Sequence, residues 1–204
     1  NWDNLLQIKE QSPIPLKLGI EVDYKPEKEN EIKNQIENLP LDYSIGSVHS
    51  IGDWAVDHPE FINEYHKRDI HQVYKNYFNL VVKAANSDLF NIIGHFDLIK
   101  VFNFRPQNID ILELVEPALQ AIKNSNMIIE INTNGLNKPV NEIYPSEIIL
   151  KRAFELNIPI TFGSDAHKPE RVGEGIESMY ELVRNIGYNK VAIFSEGIHN
   201  FVKL

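Results

Sequence analysis

Asp165 and His167 stand two apart in the run Gly163-Ser164-Asp165-Ala166-His167, so one short turn offers a carboxylate and an imidazole. Comparable side chains close other apolar runs. Glu21 and Asp23 follow Leu18-Gly19-Ile20, and His49 follows Ile45-Gly46-Ser47-Val48. His95 follows Ile92-Ile93-Gly94 with Asp97 two residues on, and Asn132 closes Ile128-Ile129-Glu130-Ile131. A single histidine after a strand is ordinarily a hydrogen-bonded loop residue. Five such strand ends in succession are a constellation. Oxygen and imidazole donors without sulfur suit Zn, Mn, Fe or Co in an open, catalytic geometry. Such an ion acidifies bound water and polarises a phosphoryl oxygen, and a pair can clamp attacking and leaving oxygens together. Cysteine is absent, which excludes thiolate catalysis, cysteine-ligated zinc, iron–sulfur clusters and a disulfide framework.

Those side chains need elements to bring them together. The apolar runs at 16–22, 43–48, 91–94, 127–131, 158–162 and 191–194 are short, rich in Ile, Val and Phe, and mostly continuous. That is the pattern of strands buried on both faces. Between them, residues 27–39, 69–87, 110–124, 146–156 and 175–186 carry helical spacing. Asp69 and Ser146 stand at N-cap positions, and Gly187 at a stop. Strands alternating with helices predict a parallel α/β architecture. No glycine-rich phosphate loop follows the first strand, so a closed or partly closed barrel is the better expectation, with its chemistry where the strands end.

The chain has 204 residues, 43% hydrophobic and 24% charged, which suits one domain that builds its own core. Its 29 acids and 20 bases leave a net charge of −9. Such a surface repels polyanions and disfavours a nucleic-acid groove. A small anionic substrate would need local compensation, from bound cations or from Lys100, Arg105 and Arg171, which follow His95 and His167. For each of these three an ordinary surface salt bridge is the competing assignment. No apolar run approaches the roughly 20 residues of a membrane span, and the first residues show no basic-then-apolar signal. The expected location is the cytoplasm.

Gly19-Ile20-Glu21-Val22-Asp23-Tyr24, Gly46-Ser47-Val48-His49, Gly94-His95-Phe96-Asp97 and Gly163-Ser164-Asp165-Ala166-His167 together resemble the PHP (polymerase and histidinol phosphatase) superfamily. The loop Ile51-Gly52-Asp53-Trp54-Ala55-Val56-Asp57-His58-Pro59-Glu60 resembles its histidinol-phosphatase branch. The resemblance covers residues 18–175 and implies a distorted (β/α)7 barrel holding two or three divalent metal ions. It implies hydrolysis of L-histidinol phosphate to L-histidinol and phosphate, in histidine biosynthesis. Carried over motif by motif, Glu21, His49, His95, Asp165 and His167 are the metal ligands. Asp97 and the histidines are the groups within reach of protonating the leaving alkoxide. The family opens with a His-x-His pair on its first strand, and no histidine precedes His49 here. Residues 1–204 are therefore expected to be a single PHP domain lacking its first one or two strands. Another phosphorylated substrate, or an inactive PHP scaffold, is the alternative.

Four further residues have competing assignments. His58 lies in the loop that resembles a substrate-facing one, and rim loops carry specificity. Trp54 either stacks on a substrate ring or anchors its own loop. Glu130, mid-strand among apolar neighbours, reads as a buried partner for Arg or Lys rather than a ligand. His199 lies beyond the final predicted strand and reads as structural or surface.

Overall fold

In the computed structural model, which describes residues 2–204, the amphipathic helix α1 (Trp2–Gln11) leads into strand β1 (Gly19–Asp23). A 3-10 turn at Pro26–Lys28 precedes α2 (Glu29–Ile36), and β2 (Tyr43–Ser47) follows. The chain then makes a small hairpin, β3 (Ser50–Ile51) with β4 (Trp54–Ala55), the short helix α3 (Asn63–His66) and the long helix α4 (Ile70–Ala85). Strand β5 (Ile92–Ile93), helix α5 (Ile111–Asn124), strand β6 (Ile128–Asn132), helix α6 (Glu147–Glu155) and strand β7 (Ile160–Gly163) alternate as predicted. Helix α7 (Ile176–Ile186) precedes a terminal hairpin of β8 (Lys190–Ser195) and β9 (Ile198–Lys203).

The main sheet is parallel in the order β1-β2-β5-β6-β7, with β1 and β7 at its edges. Its register aligns Glu21 with Ile45, Ile45 with Ile92 and Ile92 with Ile128, so one row of side chains crosses the sheet. Parallel alignment puts the C-terminal strand ends, and hence Glu21, His49, His95, Asn132 and Asp165, along one rim. Both faces are covered. Ile93 and Ile129 pack with α4 and α5 residues such as Phe78, Val81, Leu119 and Ile122. Ile131 and Ile160 pack with Leu150, Met179 and Val183 of α6 and α7. On the opposite face Ile92 and Ile128, with Tyr43 and Ile45, meet Ala192 and Phe194 of β8.

The run at 191–194 is thus a strand but not a sixth parallel one: β8 pairs antiparallel with β9. Its buried positions cover the sheet, while every residue of β9 is exposed. Among the described residues the five-stranded sheet remains open. Capping follows the sequence in part. Asp69 accepts the His71 N–H at 2.9 Å and Asp110 the Leu112 N–H at 2.9 Å. The Ser146 hydroxyl makes no cap; its backbone N–H goes to Asp97 instead, at 3.1 Å.

Candidate metal centre

Glu21 lies in the middle of β1 and points to the same sheet face as Tyr43, Ile45 and Ile92, while His49 and His95 stand just past β2 and β5. One donor atom from each of Glu21, His49 and His95 lies within 4.8 Å of the others. Glu21 Oε1 is 3.1 Å from His95 Nε2 and 3.8 Å from His49 Nε2, and accepts the Ser47 hydroxyl at 2.6 Å. The two imidazoles meet edge to face at 4.8 Å. Asp23 stands behind His49: its Oδ1 accepts the His49 N–H at 3.3 Å and lies 3.5 Å from Nδ1.

This cluster forms one wall of a cleft of about 160 Å³ whose other walls include Asp165, His167, Asp57, Asn134, Lys138 and Tyr144. His167 Nδ1 sits 3.6 Å from Asp165 Oδ1 and its ring is largely exposed. Asn134 Nδ2 donates to Asp165 Oδ2 at 3.0 Å, and Arg171 donates to Asn134 Oδ1 at 3.0 Å while pairing with Glu174 at 2.7 Å. Two residues here leave the usual backbone regions: φ is +22° at His95 and +50° at Asp165.

The hydrogen bond with His95 holds the Glu21 carboxyl down to about 2, against burial that acts the other way, and Ser47 and His49 add to the lowering. Burial disfavours a His95 cation, but Glu21 and the charges of Glu130 and Asp165 outweigh it, so its pKa is raised. An ionised carboxylate and imidazoles in contact form a nitrogen and oxygen donor set that divalent cations accept. The buried Nδ1 of His95 has no hydrogen-bond partner in the protein. The residues fit such an ion, and Glu21, His49 and His95 are those that could hold it, with Asp165 and His167 facing them.

Not every predicted residue joins the cleft. Asp97 is buried and engaged elsewhere: Oδ2 takes the Lys100 ammonium at 2.8 Å and the Ser146 N–H. Lys100 also donates to the Ile143 carbonyl at 2.7 Å and lies 3.3 Å from Glu142. Neither lines the cleft. Asp97, expected as proton donor, and Lys100, expected as phosphate partner, instead pair with each other, since a buried charge needs an internal partner. Arg105 pairs with Glu142 at 2.7 Å, away from the cleft, and faces a separate cavity of about 540 Å³. Arg171 acts on the cleft through Asn134 rather than directly. His58 caps the 3-10 turn at Pro59–Phe61 with Nδ1 accepting from Glu60 N at 3.3 Å; its neighbour Asp57 is the loop residue that reaches the cleft. Trp54 anchors its loop, packed on Tyr65 at 4.7 Å beneath the Arg68 guanidinium. Glu130 has neither Arg nor Lys as partner; it accepts from His95 N and Asn132 Nδ2.

Asp57, Asn134, Lys138 and Tyr144 are cleft residues that strand-end reasoning passed over. Asn134 and Lys138 lie two and six residues beyond the β6 end, so reading further along that loop would have reached them. Tyr144 carries no local signal. An antiparallel bridge to Asn132 brings it in.

The PHP domain family matches residues 3–134, and the PHP-associated family matches 147–186. The "Probable histidinol-phosphatase" of Deinococcus radiodurans is 38% identical over 175 residues, which is 85% of this chain and 66% of that protein. The histidinol-phosphatase of Bacillus subtilis is 30% identical over 188 residues, 82% of this chain and 69% of the relative. The chain therefore spans about two thirds of the length of these relatives. Among solved structures, the histidinol phosphate phosphatase of Lactococcus lactis, complexed with zinc, L-histidinol and phosphate, superposes with a TM-score of 0.80 at 24% identity. That match covers 97% of this chain and 76% of the other.

Proposed function

The chain belongs to the PHP domain family, and we propose that it is a metal-dependent phosphomonoesterase acting on L-histidinol phosphate, with L-histidinol and phosphate as products. The observation that carries this reading is the convergence of Glu21, His49 and His95 within 4.8 Å on a cleft shared with Asp165 and His167. The names of the 38% and 30% identical relatives supply the substrate. Those five residues are the proposed ligands of one or two divalent ions, of the two or three that the complete family site holds. When bound, such ions polarise the phosphoryl group and acidify water for attack.

The chain's own side chains do the rest. Ser47 and Asp23 hold Glu21 and His49 in orientation, as outer partners of ligands generally do. Arg171 and Asn134 do the same for Asp165. Lys138 is the ammonium on a cleft otherwise lined with acids, imidazoles and neutral groups, and it compensates a phosphate dianion locally on a protein of net charge −9. The Tyr144 hydroxyl is buried beside the cleft with no protein partner and is a donor for a phosphate oxygen. Small phosphorylated metabolites are retained by membranes as anions, so the cytoplasm is the setting this reading implies.

The test is phosphate release by the zinc- or manganese-loaded protein, with L-histidinol phosphate compared against p-nitrophenyl phosphate. The expected result is a kcat/KM for histidinol phosphate at least roughly 10²-fold higher, because binding the rest of the substrate is used at the reacting centre. Equal rates on both would overturn the substrate, and no release from either would overturn the chemistry.

A further inference from the structure

Strand β6 is buried at all five positions, yet its central residue is a glutamate. Glu130 points to the sheet face that carries Ile128, Ile92 and Glu21, into a cavity of about 410 Å³ beneath the rim, and does not line the metal cleft. A carboxylate buried without a cationic side chain is costly unless hydrogen bonds answer it. Glu130 Oε2 receives two: the His95 backbone N–H at 2.9 Å and Asn132 Nδ2 at 3.1 Å. Oε1 lies against Gly163, where a Cβ would come within 1.9 Å of it.

These contacts meet where the backbone is least ordinary. The His95 N–H points inward to Glu130, and the φ of +22° about the next bond sends the ring out to within 3.1 Å of Glu21. A non-glycine residue holds such a conformation when its surroundings impose it. Gly163, two residues before Asp165, abuts the same carboxylate. One side chain is therefore lodged between two of the strand ends that carry the cleft.

We propose that Glu130 is a positioning residue for cation binding: by accepting the His95 N–H it fixes the turn that presents the His95 imidazole to the cleft. The inference rests on the reading of His95 as a metal ligand given above. The hydrogen bond does the positioning, and the charge is incidental to it.

The experiment titrates metal-free protein with zinc in competition with a chromophoric chelator and records the melting temperature of each metal-free variant. Glu130→Gln retains an acceptor oxygen for His95 and is expected to bind zinc within about threefold of the parent. Glu130→Leu fills the space without an acceptor, and Gly163→Ala pushes the carboxylate aside. Both are expected to bind zinc roughly 10- to 100-fold more weakly, the usual range for losing a partner of a metal ligand.

A merely structural role lowers the melting temperature and leaves zinc affinity of the folded protein at the parental value; that result for Glu130→Leu and Gly163→Ala overturns the proposal. Should both fail to fold, Glu130→Asp, whose shorter side chain draws the acceptor away from the His95 N–H, takes their place with the same expected loss and the same overturning result. Tenfold weaker binding by a folded Glu130→Gln shows that charge, not the hydrogen bond, governs, and overturns it equally. A parent that takes up no zinc overturns the metal reading itself, and this inference with it.

Discussion

The Tyr144 hydroxyl sits in the wall of the cleft, buried and unpaired, while its ring carries the Lys100 ammonium 5.3 Å from its centroid. Burial pushes this phenol far above its ordinary pKa, helped by the surrounding carboxylates, so it remains a donor at any working pH. A hydroxyl with no protein partner contributes little to folding, and removing it leaves no new orphan. Tyr144→Phe should therefore melt close to the parent, within about 1 kcal/mol. Its kcat/KM for the phosphomonoester should fall roughly 100-fold, the scale of losing one donor to developing charge. Thermal unfolding and steady-state kinetics on one preparation check both, and unchanged kinetics would remove Tyr144 from the site. The contrast with His95 shows what a sequence reveals at this scale. Glycine followed by histidine at the end of an apolar run is visible locally, whereas Tyr144 reaches the cleft only through a bridge to Asn132.

Between elements, the same distinction separates what was readable from what was not. Continuous Ile- and Val-rich runs signal parallel strands, and β1, β2, β5, β6 and β7 form the parallel sheet, although only the central β5 and β6 are buried at every position. The run at 191–194 carries an equal signal, but nothing within four residues tells which strand will pair with it. Its partner β9 is fully exposed and mixes Ile198, Phe201 and Val202 with His199, Asn200 and Lys203, so it lacks a strand's usual alternation. Asp97 and Lys100 stood out as rim residues by position; what the sequence could not supply was that α6 begins beside them. Their ion pair joins the 3-10 turn at Leu98–Lys100 to the Ser146 N–H and the Ile143 carbonyl, locking two rim connections together. Asp97→Ala leaves the Lys100 ammonium buried without its nearest charged partner and should destabilise the fold by about 3–5 kcal/mol. Arg105→Ala, on an exposed pair, should cost under about 1 kcal/mol. Urea unfolding of the two variants measures the difference. Equal losses would mean that the Asp97 pair is not what secures this corner.

Across the whole molecule, Asp42 gathers segments that are remote in the chain. Its side chain is buried, and its oxygens accept the Lys9 ammonium of α1 at 2.6 Å, the Leu18 N–H before β1 at 2.7 Å and the Glu196 N–H of the β8–β9 turn at 3.1 Å. Its carbonyl takes the Gly197 N–H at 2.9 Å. Burial acts to raise the Asp42 pKa, but Lys9 and the two amides outweigh it and bring it down to about 2. In the unfolded chain an aspartate titrates near 3.9. A group whose folded pKa is depressed stabilises the fold fully above the unfolded value, and loses that contribution as pH falls through the folded one. The stabilisation from Asp42 is therefore complete at pH 7 and fades between about pH 4 and pH 2. Asp42→Asn should cost about 1–3 kcal/mol at neutral pH, the range for losing charge-assisted hydrogen bonds in a buried place. Its deficit relative to the parent should shrink steadily as pH is lowered through that window. Urea midpoints of both proteins at pH 7, 4 and 2.5 test the sign. A deficit that stays constant or grows on acidification would show that Asp42 does not join the first helix, the sheet and the terminal hairpin by its charge.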